Sequence, residues 1–330
     1  MNEKLKIGLM IDSTNVPYWV YSMIEKIIQS NYAKIELVII NGNQIPKNSF
    51  YSKMKNNRDY FLYKIYTKLE NKMYKPESDV FGICDLTNEL LNTKKITVIP
   101  KQTKYSDWIE SEDIHEILKN DLDVIVRLGF RILKGDILKA AKCGVWSFHH
   151  GDNDVNRGGP AGFWEVFQNN PVTGSVLQII NNELDDGKIL AKSYSTTDPI
   201  LVKRNCNNYY NKTLSFLPRK LKELHELGKD QFLEKVEEQN KNIKFYSNRL
   251  YTKPTNTEFL KMSCYNFGKF LKRNLKNSYS FEQWGLLFDI KNEISKSMWR
   301  YKKILPPKDR FWADPHIISM DKNYFIFIEE

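Results

Sequence analysis

Cysteine is scarce in this sequence, and the four cysteines stand far apart. None of them forms a Cys-x-x-Cys pair within the 330 residues. Zinc ribbons and small disulfide frameworks both need closely spaced cysteines, so the spacing argues against them. Isolated cysteines are typical of a reducing compartment, and we expect a cytoplasmic protein without a metal site.

Long apolar runs and glycine-rich nucleotide loops are also missing. No stretch of about 18 apolar residues occurs, so we predict no transmembrane segment. The first apolar run lies between Lys6 and Asp12 and is too short for a secretory signal. Neither a Gly-x-Gly-x-x-Gly nor a Walker motif is present, which argues against a nucleotide cofactor bound by such a loop.

Positive charge is in excess, with 50 Lys and Arg against 40 Asp and Glu and a formal net charge of +10. Such an excess attracts anionic partners. The sequence nevertheless contains no zinc finger, aromatic RNA-binding signature or clear helix-turn-helix. A lysine-rich composition explains the excess more simply, and we expect no nucleic-acid partner.

Short apolar runs alternate with helical patterns through the first 200 residues. The runs at 6–11 and 35–40 are apolar on both faces, and the helical pattern between them consists of Val20, Met23, Ile24, Ile27 and Ile28. This alternation is typical of a parallel sheet covered by helices. We predict an α/β fold: a Rossmann-like domain with a mostly parallel sheet over residues 1–200, a helical linker over 201–280 and a short β-rich segment over 281–330.

The predicted strand Val145–His149 runs directly into a polar, glycine-rich loop. Ligands of open α/β sheets bind beyond the carboxyl ends of the strands, so this loop is the natural place for chemistry. Two histidines, His149 and His150, stand at the strand end, and an acidic turn at Glu183–Gly187 follows the next strand. A histidine near a carboxylate suits proton transfer near neutral pH.

The segment from about 123 to 192 resembles the N-terminal domain of the 10-formyltetrahydrofolate-dependent formyltransferases. That family has a histidine at the end of a strand, followed by a loop that closes with Arg-Gly and a nearby proline. Here the closing residues are Arg157-Gly158 and Pro160, and counting back from them places the family histidine on His150.

Further along, the likeness rests on three short matches. The family's Leu-Asp-x-Gly turn falls on residues 184–187, which places its aspartate on Asp185. Thr173-Gly174 matches the threonine-glycine pair that opens the intervening strand, and the run at 128–133 looks like the family's folate-side loop. Asp186 is the alternative aspartate if the register is shifted by one residue.

The resemblance implies transfer of a formyl group from 10-formyltetrahydrofolate to a small-molecule amine, with an amino sugar or sugar nucleotide as the candidate acceptor. It makes His150 and Asp185 catalytic, with His149 beside them. At the folate donor it places Gly129, Phe130, Arg131, Ile132 and Leu133. At the substrate we place Asp152, Asn153, Arg157 and Gly158.

The sequence departs from the family at the asparagine that precedes the histidine, since Phe148 stands at that position. The family's asparagine stabilises an oxyanion, and losing one such donor typically costs about 10²–10³ in rate. Either His149, Asn153 or a backbone N–H replaces it, or formyl transfer is weak or absent; we expect His149 or Asn153 to replace it. Strand alternation predicts that only one of the two histidines faces the site, and Arg157 is either an anion contact or part of a plain turn.

The C-terminal tail carries a second likeness. Phe311–His316 and the alternating run Tyr324–Glu329 resemble the opening strands of five-bladed glycoside-hydrolase propellers. One blade cannot bury its own faces, so we predict a truncated propeller or a fragment, and we assign no catalysis to Asp314. For the basic helix at about 257–276, we favour packing on its own domain over contact with a membrane surface.

Two other functional hypotheses remain open from the sequence. In one, the chain is a non-formylating carbohydrate-processing or glycan-assembly protein whose N-terminal domain binds substrate. In the other, it is a catalytically inactive formyltransferase-like interaction module. Binding of folate, of sugars without folate, or of neither would distinguish the three.

Overall fold

The computed structural model describes residues 3–43, 58–183, 186–241, 246–277, 284–290, 301–321 and 323–330. Contacts divide the chain into two compact units, residues 1–262 and residues 263–330. Within the described ranges, no helix is both long and apolar enough to cross a membrane.

A seven-stranded sheet forms the centre of the first unit, in the order β13-β12-β10-β8-β1-β3-β5. Five neighbouring strands, from β5 to β10, run parallel, and β12 is antiparallel to both of its neighbours. The predicted α/β fold with a mostly parallel sheet is therefore confirmed. The seven strands are β1 Leu5–Ile11, β3 Ala33–Asn41, β5 Lys94–Val98, β8 Val124–Arg127, β10 Val145–His149, β12 Val172–Ile179 and β13 Lys188–Thr196.

The strands are apolar on both faces because both faces are covered. Alternate residues of β1 divide between two core clusters: Ile7 and Leu9 belong to one, and Met10 belongs to the other. Gly8 lies between them because a Cβ there would come within 2.6 Å of the side chain of Leu122. Burial of such residues supplies about 1.5–3 kcal/mol each.

Helices follow the strands as the alternating pattern predicts. They are α1 Tyr18–Ile28, α2 Phe61–Met73, α3 Ser111–Leu118, α4 Phe163–Phe167, α5 Val202–Thr213, α6 Phe216–Leu227, α7 Lys229–Gln239 and α8 Asn256–Asn277. The predicted apolar face of α1 is buried, apart from Ile28, which is 39% exposed at the end of the helix.

Helices α5 to α7 occupy the region that the sequence predicts to be a linker. Leu217, Leu221 and Leu224 of α6 and Phe232 of α7 are buried in the larger core cluster together with strands β1 and β8. They are spaced at helical intervals in a segment whose other residues are mostly charged, so each helix buries one face. The contacts place these helices in the same compact unit as the sheet.

Short strands complete the first unit. They are β2 Asn15–Pro17, β4 Ile83–Asp85, β6 Lys101–Gln102, β7 Ser106–Trp108, β9 Ile132–Lys134, β11 Arg157–Gly158 and β14 Leu250–Tyr251. Strands β6, β7 and β9 form a small sheet of their own, and β11 pairs with β14.

The described residues of the second unit form two separate two-stranded sheets. Leu286–Phe288 (β15) pairs with Lys302–Ile304 (β16), and Ala313–Met320 (β17) pairs with Asn323–Glu329 (β18). The propeller likeness of this segment stays a prediction. The sequence analysis favours packing of the basic helix, here α8, on its own domain. The large apolar side chains and the cysteine along its predicted apolar face are exposed instead: Leu260, Cys264, Phe267, Leu271 and Leu275.

We expect Asp107→Ala to lower the free energy of unfolding by about 3 kcal/mol, because it leaves a partly buried guanidinium unpaired. The Asp107 side chain is fully buried on β7, and its Oδ1 lies 2.7 Å from Nη2 of Arg131. Urea denaturation measures the loss. The matched control is Glu36→Ala, which breaks an exposed pair with Lys34 and should cost less than about 1 kcal/mol. Equal losses in the two variants would contradict the buried role of Asp107.

Candidate active site

Strand β10 ends at the carboxyl edge of the sheet, between β8 and β12, as the sequence predicts. All five of its residues are buried. Ser147 accepts a hydrogen bond from Nε of Arg127 on β8 at 2.9 Å, which ties the two strand ends together. The loop after β10 passes close over β12, because a Cβ on Gly174 would lie 2.7 Å from Cβ of Asp152. This explains the glycine of the matched Thr173-Gly174 pair.

A small enclosed space, here called the histidine cavity, lies at this strand end. The volume in which the centre of a water molecule can lie is about 10 Å³. This is close to the smallest such volume that holds a single water. A one-carbon group or a water therefore fits, and a larger ring system does not. Its lining residues are His149, His150, Gly151, Asn156, Gly158, Gly159, Pro160, Ala161, Gly162, Trp164 and Glu165.

The imidazole of His150 is held between aromatic rings. Its ring stacks on Tyr210 at a centroid distance of 3.6 Å, and Trp19 meets it edge-on at 5.1 Å. Both ring nitrogens are buried and have no hydrogen-bond partner. Burial lowers the pKa of His150 well below 6.5, and the nearby His149 and Arg127 lower it further. The ring is therefore neutral, with one donor and one acceptor nitrogen.

His149 lines the same cavity in a different way. Its Nε2 lies 2.8 Å from the carbonyl oxygen of Asn156, and a carbonyl only accepts, so Nε2 carries the proton. The expectation that only one histidine faces the site is wrong. Strand β10 ends at His149, so strand alternation does not apply to His150.

Glu165 is a member of the cavity that the sequence reading missed. It lies on the short helix α4, is 3% exposed, and its Oε2 has no hydrogen-bond partner. Burial raises the pKa of Glu165, and a hydrogen bond from the Asn156 side chain partly offsets that rise. The available signal was one acidic residue among the otherwise apolar residues of Phe163–Phe167.

Two predicted substrate residues, Asp152 and Asn153, are tied into the protein. The ammonium group of Lys192 contacts the carboxylates of both Asp152 and Asp154. Burial opposes the charge of Lys192, but these two hydrogen bonds outweigh it and raise its pKa. Asn153 donates from Nδ2 to Gln178 at 2.7 Å, while its buried Oδ1 has no partner.

The guanidinium of Arg157 is also paired. Its Nη2 lies 2.6 Å from Oδ1 of Asp186, and its Nε donates to the carbonyl of Asn153. Gly158 has φ +98°, and a Cβ there would lie 2.2 Å from the carbonyl oxygen of Tyr251. The close pairing of β11 with β14 therefore requires glycine at this position.

A second and larger space, the outer cleft, lies beside the same loop. The volume in which the centre of a water molecule can lie is about 620 Å³ in this cleft. Three cations and three acids line it and pair with one another: Arg157 with Asp186, Lys192 with Asp154, and Lys188 with Glu237. Among the residues that the structure describes, the charges that line the cleft sum to zero, which favours a neutral polar ligand over a free phosphate. Asn153 and Tyr194 also line it.

Asp185, the predicted catalytic aspartate, and Leu184 lie outside the described residues. Asp186, the alternative aspartate, lines the outer cleft and not the histidine cavity. The described structure therefore brings His149 and His150 together with Asn156 and Glu165.

The predicted folate-side loop, residues 128–133, lies just after β8, at the same edge of the sheet. Phe130 and Leu133 are buried in the smaller core cluster, and Ile132 is half-buried on β9. The guanidinium of Arg131 is held by Asp107 and by backbone carbonyls. Gly129 has to be glycine, because a Cβ would lie 2.5 Å from the backbone nitrogen of Asp12. A ligand here would therefore meet mainly backbone groups.

Among the described residues, no group of three or more His, Cys, Asp and Glu side chains is placed to hold a metal ion. No protein-family model and no curated protein matches the chain.

Comparison with solved structures finds similarities of low identity. Glycinamide ribonucleotide transformylase 1 from Symbiobacterium toebii has a TM-score of 0.45 and 10% identity, covering 68% of this chain and 88% of that chain. Phosphoribosylglycinamide formyltransferase from Anaplasma phagocytophilum has a TM-score of 0.46 and 14% identity, with the same coverage. A sugar N-formyltransferase from a Shewanella species has a TM-score of 0.40 and 13% identity, covering 75% of each chain.

We expect His150→Phe to change how the free energy of unfolding depends on pH. The unfolded imidazole binds a proton below about pH 6.5, whereas burial prevents the folded one from doing so. The stability linked to this group is therefore complete above pH 6.5 and falls by up to about 1.4 kcal/mol per pH unit below it.

His150→Phe keeps the aromatic contacts and removes this loss, so the variant should gain on the wild type between pH 6.5 and 5.5 in urea denaturation. The exposed His115→Phe measures the effect of the same substitution at a surface position. Parallel pH curves for the wild type and His150→Phe would contradict the buried, neutral state of His150.

Proposed function

We propose that the chain transfers a formyl group from 10-formyltetrahydrofolate to an amine. The observation that carries the proposal is the neutral imidazole of His150, whose two ring nitrogens are buried without partners beside a cavity of one-carbon size. Each buried unpartnered polar atom costs about 1–3 kcal/mol. A formyl oxygen and an amine hydrogen would satisfy one acceptor and one donor in this cavity.

In the proposed reaction, the nitrogen of the acceptor amine attacks the formyl carbon, and the carbonyl oxygen becomes an oxyanion. The N–H of His150 donates to that oxyanion as the charge develops. Donors already oriented in a dry cavity stabilise such charge strongly, because nothing has to reorganise during the reaction. The tetrahedral intermediate then collapses, the bond to N10 of the folate breaks, and the formamide and tetrahydrofolate are released.

The missing family asparagine is compatible with this scheme. Phe148 packs in the core and stacks on His150 at a centroid distance of 5.8 Å. Asn153, one of the expected replacements, lines the outer cleft instead of the histidine cavity. His149 lines the cavity, but its Nε2 proton is used by the carbonyl of Asn156. We therefore assign the oxyanion contact to His150, and by the resemblance we assign a part in proton transfer to Asp185.

Donor and acceptor are proposed to approach from different sides. The loop that includes Gly129 and Phe130 would hold the folate through backbone groups, since its larger side chains serve the core. The outer cleft would hold the acceptor, because it is large, polar and electrically balanced. An amino sugar fits these properties: its hydroxyl groups both donate and accept, and the cleft adds the exposed ring of Tyr194.

The test measures tetrahydrofolate formed from 10-formyltetrahydrofolate with amino sugars and amino-sugar nucleotides as acceptors. Removing an oxyanion donor typically costs about 10²–10³ in rate, and removing a positioned acid–base group costs about 10²–10⁴. We expect His150→Phe to lower kcat by about the first factor and Asp185→Asn by about the second. His115→Phe and Asp121→Asn, both exposed, should retain the wild-type rate.

Unchanged rates in His150→Phe and Asp185→Asn would overturn the site. Sugar binding without folate binding, followed by thermal shift, would favour the carbohydrate-binding hypothesis instead. Binding of neither ligand would favour the inactive interaction module. A ligand that binds only the native state raises the melting temperature, so the three cases are separable.

A further inference from the structure

Glu165 places a buried carboxyl group where two spaces meet. It lines the histidine cavity and also a wider opening of about 410 Å³, bordered by Asp152, Val155, Val172, Gly174 and Tyr194. At 3% exposure the side chain itself is shut off from bulk water. The carboxyl group of Glu165 therefore borders both the cavity and the opening.

Unsatisfied polar atoms are concentrated around the histidine cavity. Oε2 of Glu165, Oδ1 of Asn156 and both ring nitrogens of His150 are buried without a hydrogen-bond partner. Buried polar groups in proteins are nearly always paired, and exceptions call for an explanation such as a ligand or a catalytic role. All three side chains line the same cavity, so chance is a poor explanation for their missing hydrogen bonds.

We propose that Glu165 carries the proton from the amine to N10 in this site, in addition to the part in proton transfer assigned to Asp185. The inference rests on the formyl transfer proposed above and adds a residue for which neither the sequence resemblance nor strand alternation gives a role. Glu165 lies on helix α4, all of whose residues are buried, and the Asn156 side chain is close enough to its carboxyl group to lower its pKa.

The proton moves through Glu165 as follows. The amine nitrogen forms a bond to the formyl carbon and becomes positively charged, and the Glu165 carboxylate takes one of its protons. When the carbon–N10 bond breaks, N10 keeps the electron pair and receives that proton from the Glu165 carboxyl group. One proton passes from the amine to tetrahydrofolate, and Glu165 ends as the carboxylate with which it began.

Glu165 is better matched to this task than His150. Burial raises the pKa of Glu165 above its ordinary value and moves the pKa of His150 well below 6.5, and a carboxylate becomes a stronger base as its pKa rises. The groups that face Glu165 come from several elements: His149 on β10, Asp152 and Asn156 in the loop, and Cys206 and Tyr209 on α5.

The experiment compares the pH dependence of kcat in the wild type, Glu165→Gln and Glu165→Asp. In the wild type, kcat should fall as the pH drops through the raised pKa of Glu165, because protonation removes the base. Glu165→Gln should lower kcat by about 10²–10⁴ and lose this acidic limb. Glu165→Asp should keep the limb and recover part of the rate.

Glu70→Gln is the matched control. Glu70 is 6% exposed, its pKa is also raised by burial, and it accepts hydrogen bonds from Tyr66 and from the backbone of Lys203 outside the histidine cavity. The Glu70 variant should keep the wild-type kcat and pH profile. Equal losses in the two glutamine variants, or an unchanged acidic limb in Glu165→Gln, would overturn the role of Glu165.

A readout without turnover separates this inference from the proposed function. The infrared difference spectrum between wild type and Glu165→Gln should show a protonated carboxyl band that disappears above the pH at which kcat levels off. An active wild type without such a titrating band would reject the inference about Glu165 alone. If the band titrates but no amine is formylated, the proposed formyl transfer fails, and with it the proton path.

Discussion

The packing of His150 between Tyr210, Trp19 and Phe148 is the constraint on which the site depends. The three rings exclude water from both ring nitrogens and keep the imidazole neutral. Phenylalanine would pack equally well at this position. It would also avoid the cost of about 1–3 kcal/mol for each buried nitrogen that lacks a hydrogen-bond partner. Proteins commonly retain such a cost where activity requires it. Burial behind aromatic rings is therefore a property of the proposed chemistry and does not remove the ring from the cavity.

Close backbone approaches hold the loop after β10 against this ring. Gly174 admits the backbone of Asp152, and Gly158 admits the carbonyl of Tyr251. A side chain at either position would push the loop away and open the histidine cavity. Gly158 and Gly174 therefore account for the geometry of the loop beside the site and take no part in its proposed chemistry.

Much of the fold could be predicted from the sequence. Short runs that are apolar on both faces predict buried strands such as β1 and β10. The periodic apolar stripe of α1 predicts a helix. The location of the histidines at a strand end followed from the same pattern. The roles of Arg131 and Arg157 could not be read in this way, because their acidic partners Asp107 and Asp186 lie more than 20 residues away.

Glu165 shows why the rest of the site was hidden. A five-residue helix is too short for periodicity to assign a face, and nothing local reveals that the loop brings Asn156 against its carboxyl group.

The outer cleft and the histidine cavity differ in whether their polar groups have partners. In the outer cleft, each cation faces an acid and the charges cancel, whereas in the histidine cavity the polar atoms of His150, Asn156 and Glu165 lack partners. Paired charges are satisfied without a ligand and serve to shape a surface. Unpaired polar atoms in a cavity of one-carbon size are available to a water or to a reacting group that enters, so we place the chemistry in the histidine cavity and substrate holding in the outer cleft.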